Sequence, residues 1–175
     1  MKLHLGCGID YREGYINVDS SKEVKTDKVW NLEKTPLPFK KDQFEEVVAN
    51  HILEHINNFI PLMHELHRIT KRGSKIYIRT PFYSSWGQFN DPTHVRFFTP
   101  FTFNYFKKGI YSHEVNCNKD MFELKKVKLN FGIGTSSKLN FLFNPILNLN
   151  QRIYCRFFAW IFPCAEIFYE LEVIK

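Results

Sequence analysis

A glycine turn directly after a short apolar strand is the feature that most constrains this chain. The stretch LHLGCG ends in Gly6-Cys7-Gly8, and only nine residues separate the predicted strand over 2–5 from the next one, YINVD, over 15–19. A crossover between neighbouring parallel strands normally takes a dozen or more residues and contains a helix. The spacing therefore predicts a parallel α/β sheet with an abbreviated first crossover.

The remaining pattern alternates strands with helical segments. A helix is predicted over 60–71, because Pro61 suits its first turn and Gly73 follows as a stop. Strands are predicted over 2–5, 15–19, 27–32, 44–50, 74–81, 122–131 and 168–175. This order indicates an α/β fold with a largely parallel sheet, whose last two strands pair antiparallel at an edge.

Length and charge limit the organisation and the partners. With 175 residues, the chain is predicted to form a single domain over 1–175. The net charge of +6 comes from scattered lysines and arginines without a five-residue basic run, so nucleic acid is disfavoured as a partner. The four cysteines show no C-x-x-C spacing, which favours free thiols in the cytoplasm.

An aromatic-rich insert is predicted at about 132–167. Within it, residues 146–162 are expected to form an amphipathic helix. Its apolar stripe is formed by Ile146, Leu149, Ile153, Phe157 and Trp160. The simplest interpretation is that this stripe packs in the core, and the alternative is peripheral contact with a membrane or a protein through 146–168.

The glycines and one aspartate indicate a nucleoside site. Gly6 and Gly8 permit a tight turn and a close approach of a ligand to the backbone, and Asp19 ends the second strand, where a carboxylate can accept both hydroxyls of a ribose. The pattern G-x-G-x-x-G is absent, since Gly14 comes too late. A nucleoside with a small charged group therefore fits better than a dinucleotide.

Several longer stretches resemble class I S-adenosylmethionine-dependent methyltransferases, and small bacterial members in particular. These are LHLGCG…YINVD, NLEKTPLPFKKDQFEEVVANHILEHI, LHRITKRGSKIYIRTP and DPTHVRFFTPFTF, which together cover about residues 2–105. The resemblance implies a Rossmann-like, seven-stranded, mostly parallel sheet with an antiparallel last strand and helices on both faces. It also implies S-adenosyl-L-methionine as the cofactor.

The resemblance assigns the cofactor contacts residue by residue. Gly6, Cys7 and Gly8 would line the methionine part, and Asp19 would bind the ribose. Asn31 and Leu32 would border the adenine, although many relatives have aspartate at the position of Asn31. Asn50 and His51 would lie at the end of the fourth strand, beside the reactive methyl group.

The acceptor is expected to be a hydroxyl group of a small molecule or a glycan. Such an acceptor gains from a general base, and histidine suits that role. His94 lies in the loop after the fifth strand with Asp91 three residues earlier to orient it, and His51 and His55 are alternative bases.

Two other functions stay open at this point. HILEH, residues 51–55, has the H-x-x-E-H pattern of a zinc peptidase, in which His51 and His55 would share the metal and Glu54 would act as base. That function leaves the glycine turn and Asp19 unexplained, so no metal is expected. The other alternative is a non-catalytic cofactor-binding partner protein.

Overall fold

The computed structural model of the protein describes residues 1–109, 113–117 and 119–175. One seven-stranded sheet has the order β3-β2-β1-β4-β5-β7-β6. Its strands are β1 (Lys2–Leu5), β2 (Tyr15–Asp19), β3 (Lys28–Val29), β4 (Phe44–Asn50), β5 (Thr70–Pro81), β6 (Phe122–Asn130) and β7 (Glu166–Val173). β1 to β5 are parallel, and β7 is antiparallel to both β5 and β6. The predicted Rossmann-like sheet is confirmed.

Most of the helical structure follows β4. The helices are α1 (Phe59–Ile69), α2 (Trp86–Asn90), α3 (Asn140–Leu149) and α4 (Gln151–Ile153), which continues as a π-helical turn over Tyr154–Phe158. Short 3₁₀ turns cover Leu53–His55, Thr102–Phe106 and Gly134–Leu139. None of the described helices is both long and apolar enough to cross a membrane.

The side chain of Asn17 takes the place of a helix in the first crossover. Asn17 is fully buried in β2. Its Oδ1 accepts from the backbone N–H of Arg12, and its Nδ2 donates to the Arg12 carbonyl and to Asp27. Nine extended residues can span about 30 Å, so residues 6–14 can return to the start of β2 without a helix. The hydrogen bonds of Asn17 hold them in place as a loop.

An aromatic cluster ties α1 to one face of the sheet. The Phe59 ring of α1 contacts Phe103, whose ring centroid lies 4.7 Å from that of Tyr169 in β7. The same sheet face carries fully buried residues of four other strands: Leu3, Leu5, Val18, Val47, Ala49, Ile76 and Ile78. Alternating strand side chains therefore produce one continuous core beneath α1.

The helical covering of the sheet is uneven. Among the described residues, the connections over 6–14, 20–27 and 30–43 contain no helix. On the face opposite α1, side chains of β5 and β7 stay partly exposed and pair with one another: Tyr77 stacks on Phe168, and Lys75 forms an ion pair with Glu170.

The insert differs from its sequence prediction. The expected single helix over 146–162 is divided at Asn150, whose backbone is extended, into α3 and the α4 segment. The predicted apolar stripe is exposed rather than in the core, with Leu149 at 87% and Trp160 at 65% of full exposure. Core packing was thus the wrong interpretation of this stripe. The physical reason is the orientation of α3, whose polar side chains face the sheet.

Candidate cofactor site and acceptor side

The turn after β1 requires glycine at its first position. Gly6 has φ +59°, and a Cβ built there would lie 2.4 Å from Cγ1 of Ile52. Such a contact leaves no room for a side chain, so the backbone of the turn and the Ile52 side chain can pack directly together. Gly8 also has a positive φ, of +49°, but a Cβ there would meet no described atom within 4 Å.

Asp19 organises this turn from the end of β2. Its Oδ2 accepts from the backbone N–H of Gly8 at 2.8 Å, and its Oδ1 accepts from that of Ser21 at 2.9 Å. A carboxylate offers about four acceptor positions, so both oxygens keep capacity for the hydroxyls of a ribose. The partly exposed Asp19 therefore fits the role predicted for it.

A cleft of about 190 Å³ opens between this turn and the chain after β3. Gly6, Asp19, Asn31 and Leu32, four of the predicted cofactor residues, line it. The other lining residues are Ser20, Trp30, Glu33, Ile52, His55 and Ile56. Of the other predicted contacts, Cys7 is buried behind the turn, and Gly8, Asn50 and His51 lie outside the lining.

His51 is held between two buried carboxylates. It follows β4 with φ +49°, its Nδ1 lies 3.4 Å from Glu54 Oε1, and its Nε2 lies 3.3 Å from Glu166 Oε2. Hydrogen bonding to Glu166, and then to Glu54, raises the pKa of His51 to about 9. His51 is therefore an imidazolium at neutral pH and is unsuited there to accept a proton.

The loop after α2 is fixed against the turn after β4. Val95 N–H donates to the Glu54 carbonyl at 2.9 Å, and the Arg96 guanidinium donates to the carbonyls of Ile56 and Asn57. This contact brings the rings of His55 and His94 together, with centroids 4.7 Å apart. Because His55 lines the cleft, the loop places His94 beside it.

Hydrogen bonds fix the tautomers of both histidines. His94 Nδ1 lies 3.0 Å from the Gln88 carbonyl, which only accepts, so Nδ1 carries the proton. Thr93 donates its hydroxyl proton to Asp91 at 2.6 Å and therefore accepts from His55 Nδ1 at 2.8 Å. Both Nε2 atoms consequently keep a free lone pair when the rings are neutral.

Asp91 acts on a different histidine from the one expected. Its Oδ2 lies 3.9 Å from His94 Nε2, too far for a hydrogen bond. Its Oδ1 instead accepts both the N–H and the hydroxyl of Thr93, which lowers the pKa of Asp91. The orienting chain therefore runs from Asp91 through Thr93 to His55, and the Gln88 carbonyl orients His94.

Among the residues that the structure describes, Glu54, His55 and His94 form a group that could hold a metal ion. One ligand atom from each lies within 4.8 Å of the others. Glu54 is fully buried, and within the described part of the chain the side-chain contact of its carboxylate is the ion pair with His51, in which Oε1 lies 3.4 Å from Nδ1. His51 does not belong to this group, so the geometry differs from the zinc-peptidase arrangement, in which His51 and His55 share the metal.

Sequence reasoning did not identify Gln88, Thr93 or Glu166 as residues of the site. Glu166 stands 115 positions after His51 and reaches it only because β7 inserts beside β5. Thr93 lay in the quoted motif DPTH, where an Asx-type turn from Asp91 was a readable signal. No sequence signal marks the backbone carbonyl of Gln88.

Comparison with known proteins gives a family match for part of the chain. A family model described as a methyltransferase domain matches residues 3–78, a little under half of the chain. This segment contains the glycine turn, Asp19, the cleft and His51. No curated protein matches the sequence.

Solved structures share the fold at low sequence identity. An S-adenosylmethionine-dependent methyltransferase from Archaeoglobus fulgidus is 17% identical, with a TM-score of 0.61 and coverage of 98% of this chain and 85% of that one. A second, from Mesorhizobium loti, is 13% identical, with a TM-score of 0.55 and coverage of 98% and 89%. The [4+2]-cyclase SpnF is 12% identical, with a TM-score of 0.58 and coverage of 99% and 75%.

The cyclase shows that the fold alone does not determine the reaction. The family match adds the reaction class, and together they confirm the resemblance found in the sequence. Residues 3–78 match a methyltransferase domain, the whole chain has the fold of S-adenosylmethionine-dependent methyltransferases, and the protein is an enzyme of this kind. Its cofactor is S-adenosyl-L-methionine.

Proposed function

We propose that this enzyme methylates a hydroxyl group of a small molecule or a glycan, and that His94 removes the hydroxyl proton. The observation that carries the proposal is the fixed tautomer of His94. Its Nδ1 proton is held by the Gln88 carbonyl, so the free lone pair is on Nε2, and the His94 ring packs against His55, which lines the cleft. A base with this geometry suits a hydroxyl, which must lose a proton during the transfer.

The cofactor residues are part of the same proposal. Gly6, with Cys7 and Gly8 in the same turn, would hold the methionine end, Asp19 the ribose hydroxyls, and Asn31 and Leu32 the adenine. Four of these residues share the cleft, which supports the assignment. When bound, S-adenosylmethionine supplies an electrophilic methyl group, and the protein contributes position and electrostatics.

His51 and Asn50 would border the methyl-transfer region from the end of β4. Because His51 is cationic at neutral pH, we assign it no proton transfer and expect it to fix Glu54 and Glu166 by charge. Asp91 would position His55 through Thr93. The base and its neighbours thus form one hydrogen-bonded group around the rings of His55 and His94.

A radiolabel experiment tests the acceptor chemistry. The protein is incubated with S-adenosylmethionine labelled in the methyl group and with a panel of phenols, sugars, nucleotide sugars and primary amines. We expect label in a methyl ether that survives mild acid and base. Label only in amines, or no transfer to any hydroxyl by protein that binds the cofactor, would contradict the proposal.

Substitution of His94 tests the base. His94→Ala should lower turnover by about 10²- to 10⁴-fold and leave the affinity for S-adenosylhomocysteine nearly unchanged. His64→Ala is the matched control, since His64 lies on α1 and its Nε2 bonds the Val115 carbonyl. Activity lost to a chelator and restored by a divalent cation would assign His94 to a metal instead of to proton transfer.

A further inference from the structure

Helix α3 turns its polar side toward the protein. Asn140, Asn144 and Asn148, with Gln151 after the break, hydrogen-bond the backbone of residues 127–132 at the free edge of β6. Residues four apart on a helix are separated by about 6 Å along its axis, and residues two apart on a strand by about 6.7 Å. Because these spacings are similar, successive amides along α3 lie opposite successive free backbone groups of the β6 edge. These amides close the sheet edge and determine which side of α3 faces outward.

The outward side of the insert is an apolar ridge. We use this name for eleven residues that are each at least 45% exposed: Leu139, Phe141, Leu142, Ile146, Leu149, Ile153, Phe157, Phe158, Trp160, Ile161 and Phe162. Single exposed apolar side chains are ordinary, but eleven of them within one insert mark a surface for another molecule.

The segment that contains the ridge carries charge of one sign. From Leu124 to Ala165 the chain contains six basic residues and no Asp or Glu. Arg152 and Arg156 stand at the ridge itself, with guanidinium carbons 5.7 Å from the Phe101 ring centroid and 5.5 Å from that of Phe157. Aromatic and aliphatic side chains with arginine at their margin match the interface of an anionic bilayer, where the rings enter the acyl boundary and the cations meet lipid phosphate.

We propose that the apolar ridge docks this enzyme on the surface of an anionic lipid bilayer. A cleft of about 440 Å³ within the ridge supports a lipid as the occupant. Its walls are almost entirely apolar and include Phe143, Ile146, Ile153, Phe158 and Phe162. Such a cleft suits a single hydrocarbon chain, because it offers few partners for a polar ligand.

The ridge is continuous with the acceptor side of the site. The Trp160 ring contacts Phe89 of α2 and Tyr83, and Gln88 of the same α2 helix orients His94. A docked enzyme would therefore face a bilayer-borne acceptor with its His94 side. This consequence rests on the proposed function, whereas the docking itself does not.

Co-sedimentation with vesicles tests the docking without any turnover. The full chain is mixed with vesicles of phosphatidylcholine containing about 30% phosphatidylglycerol, and with vesicles of phosphatidylcholine alone. We expect binding to the first kind, weakened about tenfold or more in the second or in about 0.5 M NaCl. Trp160 fluorescence, compared with that of Trp160→Phe, should shift to the blue on binding.

The variant Leu149→Ser/Ile161→Ser should bind the anionic vesicles about tenfold or more weakly, since both side chains are largely exposed on the ridge. Ile9→Ser is the matched control, because Ile9 is 99% exposed in the β1–β2 connection, and it should bind like wild type. Circular dichroism verifies that each variant is folded.

Three results would overturn the proposal. They are no vesicle binding by folded wild type, equal binding by the double variant, and a lipid-free wild-type dimer that becomes monomeric in the double variant without any vesicle binding. The last result would assign the ridge to a second copy of the chain. If the folded wild type binds vesicles but transfers no methyl group to a hydroxyl, the result would contradict only the proposed function and not the docking.

Discussion

Two helices of nearly equal length, α1 and α3, turn opposite sides toward the same sheet. α1 buries Leu62, Met63 and Leu66 completely against the sheet face. α3 instead directs its asparagines to the sheet edge and leaves Leu149 87% exposed. Both helices are amphipathic, yet the apolar side faces the core in one and the outside in the other.

The difference teaches what each part of a sheet demands from a neighbouring helix. A sheet face presents apolar side chains and gains free energy by burying them. A sheet edge presents unpaired N–H and C=O groups, which need hydrogen-bond partners. Amphipathic spacing identifies such a helix, but it does not say which side meets the protein.

The largest effect is expected from truncating one leucine on each of the two helices. Leu66→Ala on α1 should reduce the free energy of unfolding by about 2–5 kcal/mol, because it leaves a cavity in a fully packed core. Leu149→Ala on α3 should change it by less than about 0.5 kcal/mol. Urea unfolding of both variants is the measurement, and equal losses would break the comparison.

A glycine pair tests the cofactor turn with a somewhat smaller effect. Gly6→Ala should cost about 2–4 kcal/mol, since it adds a contact with Ile52 to the penalty of a positive φ. Gly14→Ala is the control: its φ is +80°, but its Cβ would meet no described atom within 4 Å, so only the backbone penalty applies. If both variants unfold at the same urea concentration, Ile52 does not restrict the turn.

The ion pairs of His51 with Glu54 and Glu166 should make the smallest of these contributions to the free energy of unfolding, and this contribution should depend on pH. Since the pKa of His51 is raised from 6.5 to about 9, its stabilisation is complete below about pH 6.5 and is lost as the pH rises through 9. We expect about 1–2 kcal/mol over that window, discounted because the side chain is 45% exposed.

His51→Gln should remove this pH dependence of unfolding. The same substitution at the neighbouring residue, His55→Gln, is the control, because the His55 ring bonds the hydroxyl group of Thr93 instead of two carboxylates. An unchanged slope between pH 6.5 and 9 in His51→Gln would show that the ion group with Glu54 and Glu166 does not stabilise the fold.

The N-terminal half was largely predictable because its signals are local. The strand over 2–5, the glycine turn and Asp19 follow one another within 18 residues, and β1, β2 and β4 have the predicted bounds. β3 was predicted over 27–32 but covers only Lys28–Val29, because β2 ends at Asp19, opposite Val29, and leaves the chain after Val29 without a strand to pair with.

The acceptor side depends on long-range contacts that no local pattern encodes. Asp91 and His94 are three residues apart, and that spacing predicted an interaction between them. The turn over 91–94 and the docking of the loop on residues 54–57 instead direct Asp91 to Thr93 and His94 to Gln88. The catalytic roles of His94, Asp91 and His51 remain predictions.

Calorimetric titration with S-adenosylhomocysteine tests the central claim, that the cleft beside Gly6 and Asp19 holds the cofactor. Wild type should bind with a Kd of about micromolar, and Asp19→Ala should bind about ten- to a hundredfold more weakly, because it removes hydrogen bonds to a charged group. Ser20→Ala, at the rim of the same cleft, should bind nearly as wild type does. Folded wild type that releases no heat, or an Asp19→Ala variant with unchanged affinity, would contradict the account.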